Sequence, residues 1–168
     1  MKNVILTLCL IAGFSSSAQQ YLTREGKITF DAGSPLEDIM ATSESASAVY
    51  DASTGALGVQ VLMTSFNFKR ALMQEHFNEN YVESESFPKA MFRGNFKEGR
   101  AIGQLTIHGV TKDIDVPATI DIVDGVAELT TSFPITIADF GVDIPGAVAE
   151  KIDKQAKTEV HCSMKQRK

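Results

Sequence analysis

The chain lacks tryptophan, has only two cysteines among its 168 residues, and carries fewer basic than acidic side chains, with 16 Lys and Arg against 21 Asp and Glu. The resulting formal net charge of -5 argues against a nucleic-acid-binding protein, because such proteins neutralise phosphates with a basic surface. Disorder is also excluded, since a chain that is 43% hydrophobic and 22% charged can bury a core. The length fits a single domain.

The longest apolar run lies at the N-terminus. Lys2 gives a short positive start, Val4 to Phe14 is almost wholly apolar, and small residues follow from Ser15 to Ala18. The run is shorter than the roughly 20 residues that a membrane-spanning helix needs. This pattern predicts a signal peptide over residues 1–18, with cleavage after Ala18 and an exported domain over residues 19–168, either periplasmic or secreted.

Two other interpretations of this segment remain, a buried N-terminal helix and a lipid anchor on Cys9. Removal of the signal peptide would leave Cys162 as the only cysteine of the exported domain. An internal disulfide is then impossible, although the compartment would permit one. Cys162 alternates with Val160 and Met164, which predicts a buried thiol that packs as a small hydrophobic side chain.

Short runs of alternating hydrophobicity, separated by turn sequences, predict an all-β domain. Asp51 to Gly55 and Asp124-Gly125 are the clearest hairpin turns, the second of type I′. Pro35 to Met40 has the composition of a possible helical turn. The predicted strands are residues 24–30, 44–50, 56–66, 90–96, 101–108, 113–122, 126–137 and 153–164.

One helix is predicted, over residues 69–81. Spacings of three and four residues place one set of side chains on a single side of it: Leu72, Met73, His76, Phe77 and Tyr81. Residues 138–152 are less regular, with a possible short helix over 147–151. They are interpreted either as a lid or as a simple connection.

Eight hairpin-linked antiparallel strands must protect their edges, and closure into a barrel removes edges altogether. The predicted fold is therefore an eight-stranded antiparallel barrel, with a two-sheet sandwich as the alternative. An eight-stranded barrel has an interior wide enough either for its own side chains or for one small elongated ligand.

The residues predicted to face the barrel interior are mostly large and apolar, and small ones share their faces. Small residues interleaved with large ones either match the taper of a barrel or leave a lengthwise void. We expect a long ligand rather than a short one, since each buried CH₂ contributes about 0.8 kcal/mol against the cost of association. The predicted ligand-binding residues are Val59, Val61, Met63, Phe92, Leu105, Ile107, Ile114, Val116, Ile120, Leu129, Phe133, Val160 and Met164. The small residues are Gly94, Gly103, Ala118, Ala127 and Ala156.

No group of residues predicts catalysis or metal binding. His76, His108 and His161 are far apart in the sequence and lack the short spacing of zinc ligands. No nucleophile with a matching base accompanies His76. The segment Thr106 to Lys112 concentrates polar groups, but a glycine between polar residues is typical of a hairpin turn. No cofactor and no metal are predicted.

Three segments resemble the YceI-like family: residues 73–81 with the following Glu83-Ser84, Phe87-Pro88-Lys89 and Phe92; residues 103–112; and Asp139-Phe140-Gly141. The resemblance implies an exported, lipocalin-like antiparallel barrel of eight strands, and some members of the family hold a polyisoprenoid or a similar long lipid. The chain is not similar to true lipocalins by signature, because it lacks the tryptophan near their first strand.

The predicted function is an exported lipid-binding protein that sequesters or carries a long apolar chain, such as an isoprenoid or a fatty acyl lipid, inside the barrel. Its expected partner is that lipid and not a nucleic acid, and no transmembrane segment is expected in the mature chain. The alternative is a structural or stress-related barrel with a packed core and no ligand. An enzyme is the third possibility, and it lacks a convergent nucleophile and base.

Overall fold

The computed structural model describes residues 19–167, and more than half of this range is β-strand. The predicted signal peptide lies outside the described residues and stays a prediction. Nine strands follow one another along the chain: β1 (Gln20–Gly33), β2 (Met40–Asp51), β3 (Ala56–Leu62), β4 (Asn67–Phe68), β5 (Lys89–Lys97), β6 (Arg100–Ile107), β7 (Val110–Val123), β8 (Val126–Thr136) and β9 (Ile152–Gln166).

The eight long strands form a closed antiparallel barrel. They are hydrogen-bonded in the order β1, β9, β8, β7, β6, β5, β3 and β2, and β1 also pairs with β2, which closes the ring. Ile28 illustrates this closure, because it is paired with Ser43 of β2 on one side and Val160 of β9 on the other. The predicted barrel is confirmed, and the alternative sandwich is excluded because one continuous ladder joins all eight strands.

Two-residue turns connect several of the strands. Asp124 and Gly125 have φ angles of 50° and 77°, the left-handed pair that a type I′ turn requires, so this prediction is confirmed. The same pair of positive angles occurs at Glu98-Gly99 and at His108-Gly109. Thr106 to Lys112 therefore forms a hairpin, as predicted.

The predicted helical turn over Pro35 to Met40 is wrong. Ser34 and Glu37 exchange two backbone hydrogen bonds, of 3.0 and 3.2 Å, and Met40 already belongs to β2. Only Pro35 and Leu36 lie between the two bonded residues, which is the geometry of a β-turn and too short for a helical turn. We call residues 34–38 the rim turn, because they lie at the rim of the barrel.

Two other predictions need smaller corrections. The strand expected over residues 56–66 ends at Leu62, and a 3₁₀ turn over Met63–Ser65 redirects the chain. The helix expected over residues 147–151 is a single 3₁₀ turn over Gly146–Val148. A third 3₁₀ turn, Ile137–Phe140, follows β8 directly.

The predicted helix is confirmed as one continuous helical segment. It begins as α1 (Ala71–His76) and continues as a wider π-helical turn over Phe77–Tyr81. Its position between β4 and β5 places it at the same end of the barrel as the rim turn. Within residues 19–167, none of the helices has the length and apolar character that crossing a membrane would require.

Tightly packed side chains fill the opposite end of the barrel. Tyr21, Ala127, Cys162 and Met164 are at most 1% exposed. The ring of Tyr50 lies 6.4 Å from that of Tyr21, centroid to centroid, and burial raises the pKa of its hydroxyl. We call this packed end, which also contains Ala118 and Ile120, the floor of the barrel.

Candidate ligand cavity

The barrel contains a cavity of about 470 Å³ that opens at the end opposite the floor. Seven of the eight long strands contribute to its wall, and only β2 does not. β1 and β9 contribute only their mouth-side parts, Ile28 to Ala32 and Ile152 to Val160, whereas β6 contributes residues along nearly its whole length, from Ala101 to Ile107. The volume falls in the range of about 300–1,000 Å³ that is typical of ligand pockets.

The helical segment covers part of the mouth. The five side chains that the spacing placed on one helix side all lie on the cavity wall: Leu72, Met73, His76, Phe77 and Tyr81. Leu72 lines the cavity although 61% of its surface is exposed, so it stands at the boundary between the cavity and solvent. The amphipathic pattern of this helix is therefore explained by its packing over an opening.

The irregular segment between β8 and β9 also borders the cavity. Phe140, Val142, Ile144 and Val148 line the cavity from this segment. The carbonyl oxygen of Phe140 lies 3.3 Å from Nδ1 of His108, whose Nε2 is 3.3 Å from a carboxylate oxygen of Glu83. His108 thus connects this segment to the loop that follows the helix.

Four phenylalanines form one cluster on the wall beneath the helix, and we call it the phenylalanine cluster. Phe30 lies 5.2 Å from Phe66, 5.8 Å from Phe68 and 5.3 Å from Phe77, measured between ring centroids. The first two pairs are edge-to-face and the third is stacked, and pairs of both kinds are favourable beyond the area that they bury. The cluster anchors the segment between β3 and β5 against β1.

Polar groups deep in the cavity are satisfied within the protein. The hydroxyl of Thr131 donates a hydrogen bond of 2.7 Å to the carbonyl of Pro117, and the hydroxyl of Thr158 donates one of 3.4 Å to Ala156. These groups therefore offer little to a ligand, and the deep part of the cavity is effectively apolar.

In the described range 19–167, the charged groups of the cavity wall lie only at its mouth. Arg70, just before α1, forms an ion pair of 2.7 Å with Glu37 of the rim turn, and both side chains line the cavity. Beside it, Lys69 forms an ion pair of 2.6 Å with Asp38. These two pairs join the rim turn to the start of the helix.

The structure places eleven of the thirteen predicted residues on the cavity wall. The exceptions are Ile120 and Met164, which pack in the floor because their positions on β7 and β9 lie toward the filled end of the barrel. The residues on the wall are Val59, Val61, Met63, Phe92, Leu105, Ile107, Ile114, Val116, Leu129, Phe133 and Val160. Their role in ligand binding stays a prediction.

The small residues have three different roles. Ala156 lies on the cavity wall, whereas Ala118 and Ala127 pack toward the floor. Gly94 and Gly103 are paired across β5 and β6, where neighbouring backbone leaves no space for a Cβ atom. The interleaved small residues therefore match the taper of the barrel in places and line the void in others.

Sequence reasoning did not assign Phe66 and Phe68 to the cavity, and it left residues 138–152 open between a lid and a simple connection. Phe66, Phe68 and the irregular segment after β8 lie outside the alternating parts of the strands, so alternation gave no signal for them. The apolar side of the predicted helix was the signal that could locate the mouth, because a helix beside a barrel buries its apolar side against the barrel.

The three histidines lie in separate places. His76 is on the cavity wall, His108 is in the hairpin described above, and His161 is on the outer face of β9, 3.3 Å from Thr130. In residues 19–167, no three His, Cys, Asp or Glu side chains are grouped so that they could hold a metal ion.

The fold is similar to those of several solved proteins. BcnA from Burkholderia cenocepacia has a TM-score of 0.70 at 15% identity, covering 83% of this chain and 95% of BcnA. A polyisoprenoid-binding domain from Saccharophagus degradans, implicated in plant cell wall breakdown, has a TM-score of 0.74 at 11% identity, covering 89% of this chain and 99% of that domain. A YceI protein from Campylobacter jejuni has a TM-score of 0.58 at 20% identity, covering 74% of this chain and 82% of that protein.

Comparison with curated proteins found no match. The solved structures share less than a quarter of their residues with this chain, so their similarity concerns the fold. At the level of the sequence, the YceI-like domain matches residues 14–164, which is most of the chain. The protein therefore belongs to the YceI-like family, as the three sequence segments predicted.

Proposed function

We propose that this protein is an exported carrier that binds a long, apolar, chain-like lipid inside its barrel and does not alter it chemically. The observation that carries the proposal is the cavity of about 470 Å³, which has an apolar interior and an opening at one end. A barrel with such a cavity does not have the solid core that the structural alternative requires. The binding activity named for the Saccharophagus degradans domain supports the same class of ligand.

The shape of the cavity favours a chain over a compact ligand. The mouth and the floor lie at opposite ends of the barrel, so the apolar wall extends along the strands. Apolar wall contacts stabilise a bound ligand in proportion to the area that they bury, about 25 cal/mol per Å². A long chain lying along the strands buries more of this wall than a short one does.

The proposal can be tested with delipidated protein and phenylnaphthylamine, a neutral fluorescent probe of apolar sites. We expect geranylgeraniol and stearic acid to displace the probe, and hexanoic acid to fail at the same concentration. Organic extraction of the freshly purified protein, followed by mass spectrometry, should identify a lipid. An unloaded protein that takes up neither the probe nor either long chain would disprove the proposal.

A variant that fills the cavity provides the matched control. Val59 lies on the wall, whereas Val49 lies on the exposed side of β2 with 49% of its surface accessible. We expect V59W to lower the affinity for the long chains about tenfold or more, because the indole occupies space that the chain needs. V49W should bind as the wild type does, and circular dichroism should show that both variants are folded.

A further inference from the structure

Four charged or titratable side chains other than tyrosine line the cavity, and all four are at its mouth. They are Glu37 from the rim turn, Arg70 and His76 from the helical segment, and Lys151 from the end of the segment before β9. A ligand that fills the apolar interior must place its other end among these groups.

The contacts around the rim turn bring three of the four to one edge of the mouth. Arg70 is held by its ion pair of 2.7 Å to Glu37. The hydroxyl of Ser34 donates a hydrogen bond of 2.9 Å to the carbonyl of Glu150, the residue before Lys151. Gly33 also pairs with Ile152, the residue after Lys151. The residues on both sides of Lys151 are thus fixed, one to the rim turn and the other to the last residue of β1 before it.

The charges at this edge do not cancel. Glu37 is paired with Arg70, and the Glu37 side chain is only 18% exposed. Lys151 forms no ion pair in the part of the chain that the structure describes. Its sequence neighbours Glu150 and Asp153 are exposed and do not line the cavity. With histidine counted as neutral, the charged groups of the wall sum to one positive charge.

Arg70 retains donors after it binds Glu37. A guanidinium has five N–H donors arranged as a fork, and the ion pair with Glu37 uses one nitrogen, Nη1. The Arg70 side chain is 64% exposed, so its remaining donors are accessible from the mouth. A carboxylate between Arg70 and Lys151 would receive charge-assisted hydrogen bonds from both.

Building on the proposed function, we infer that the preferred ligand is a long-chain carboxylic acid, whose carboxylate is bound by Lys151 and Arg70 at the rim. A single negative charge neutralises the surplus of the wall. A diphosphate would bring more negative charge to a site that already contains Glu37. A neutral alcohol or ester would leave Lys151 unpaired.

The test compares two pairs of ligands. The two members of each pair share the same chain and differ in the head group. Displacement of phenylnaphthylamine is measured for palmitic acid, methyl palmitate, geranylgeranyl diphosphate and geranylgeraniol. We expect palmitic acid to bind about fivefold or more tightly than its methyl ester, the size of effect that a partly exposed charge pair produces. The diphosphate should show no such advantage over its alcohol.

Matched lysine variants identify the residue responsible. K151Q should lower the affinity for palmitic acid to that for methyl palmitate, and it should leave the affinity for methyl palmitate unchanged. Lys154 is exposed and off the cavity wall, so K154Q should retain the preference for the acid. R70Q should weaken the preference as well, and circular dichroism should show that it remains folded despite the loss of its pair with Glu37.

The outcomes separate this inference from the function on which it rests. Equal affinity for acid and ester in the wild type, or a preference that survives in K151Q, would overturn the inference while leaving lipid binding in place. A larger advantage for the diphosphate would overturn it as well. Failure of all four ligands would instead reject the lipid carrier itself.

Discussion

Cys162 shows how a single side chain is accommodated in the floor. The thiol is fully buried, and a Cβ atom built on Gly26 would lie only 2.5 Å from its sulfur. Gly26 therefore leaves the space that the thiol occupies, and Ala46 lies beside Gly26 on β2. The alternation of Cys162 with Val160 and Met164 predicted this burial, and the structure confirms it. The matching glycine on β1 was not predictable, because the pairing of β1 with β9 was unknown.

Burial also changes the acidity of this thiol. Desolvation, with a smaller contribution from the nearby carboxylate of Glu128, raises the pKa of Cys162 from 9.0 to about 11. As the pH rises, the unfolded chain loses this proton before the folded protein does. The stabilisation from the protonated thiol is complete below about pH 9 and is lost as the pH rises toward 11.

We therefore predict that wild-type protein loses more stability than C162A between about pH 8 and pH 10, by roughly 1 kcal/mol. Urea unfolding of both proteins at the two pH values measures the difference, and subtracting C162A removes the contribution of the tyrosines and lysines. Parallel changes in the two proteins would show that the thiol is not protected by burial.

At the scale of elements, the hairpin of β5 and β6 depends on a pair of glycines. Gly94 and Gly103 are directly paired, and a Cβ on Gly94 would lie 2.7 Å from the Cα of Gly103. A Cβ on Gly103 would lie 2.5 Å from the Cα of Gly94. The obstacles are backbone atoms, which cannot move aside as a side chain could.

G94A and G103A should each lower the free energy of unfolding, by about 1–3 kcal/mol, because the two strands must separate locally to admit a methyl group. Gly58 of β3 is the matched control, since a Cβ there would meet only the carbonyl oxygen of Phe92, at 3.9 Å. Denaturant unfolding should show G58A to be close to the wild type. If all three variants had equal stability, the close approach of β5 and β6 would not be the reason for the glycines.

The existence and order of the long strands were predictable, but some of their ends were not. Alternation continues only while one face is buried, so it located the central part of each strand. The turn at Ser34 to Glu37 was misassigned because Pro35-Leu36-Glu37 has a composition that suits either a turn or a helix start. The pairing of β1 with β2 makes these residues a turn, and this pairing cannot be inferred from the composition of the turn itself.

On the scale of the whole molecule, the barrel has a packed end and an open end. The packed and open ends have the same alternating sequence pattern. Inward-facing residues must be apolar in both, whether they pack against each other or surround a cavity. For this reason most of the predicted residues lie on the cavity wall, whereas Ile120 and Met164, predicted on the same grounds, lie in the floor. The division depends on where Tyr21, Tyr50 and their neighbours fill the interior, which only the closed barrel determines.

This division predicts unequal costs for similar truncations. Met164 is completely buried in the floor, so M164A should lower the free energy of unfolding by about 2–5 kcal/mol. Ile107 is only partly buried and already borders the cavity, so I107A removes fewer contacts and should cost less. Urea unfolding of the delipidated proteins measures both. A greater loss in I107A than in M164A would contradict the assignment of the packed and open ends.

The floor also limits the length of chain that the barrel can enclose. Along β9 the wall runs from Ile152 at the mouth to Val160 beside the floor. At about 3.3 Å per residue and a strand tilt of about 40°, this is a depth of roughly 20 Å. A chain that entered from the mouth would stop at the floor, and any greater length would remain outside. The longest tail that can be fully enclosed is thus set by the side chains of the floor, although they contribute nothing to the cavity wall.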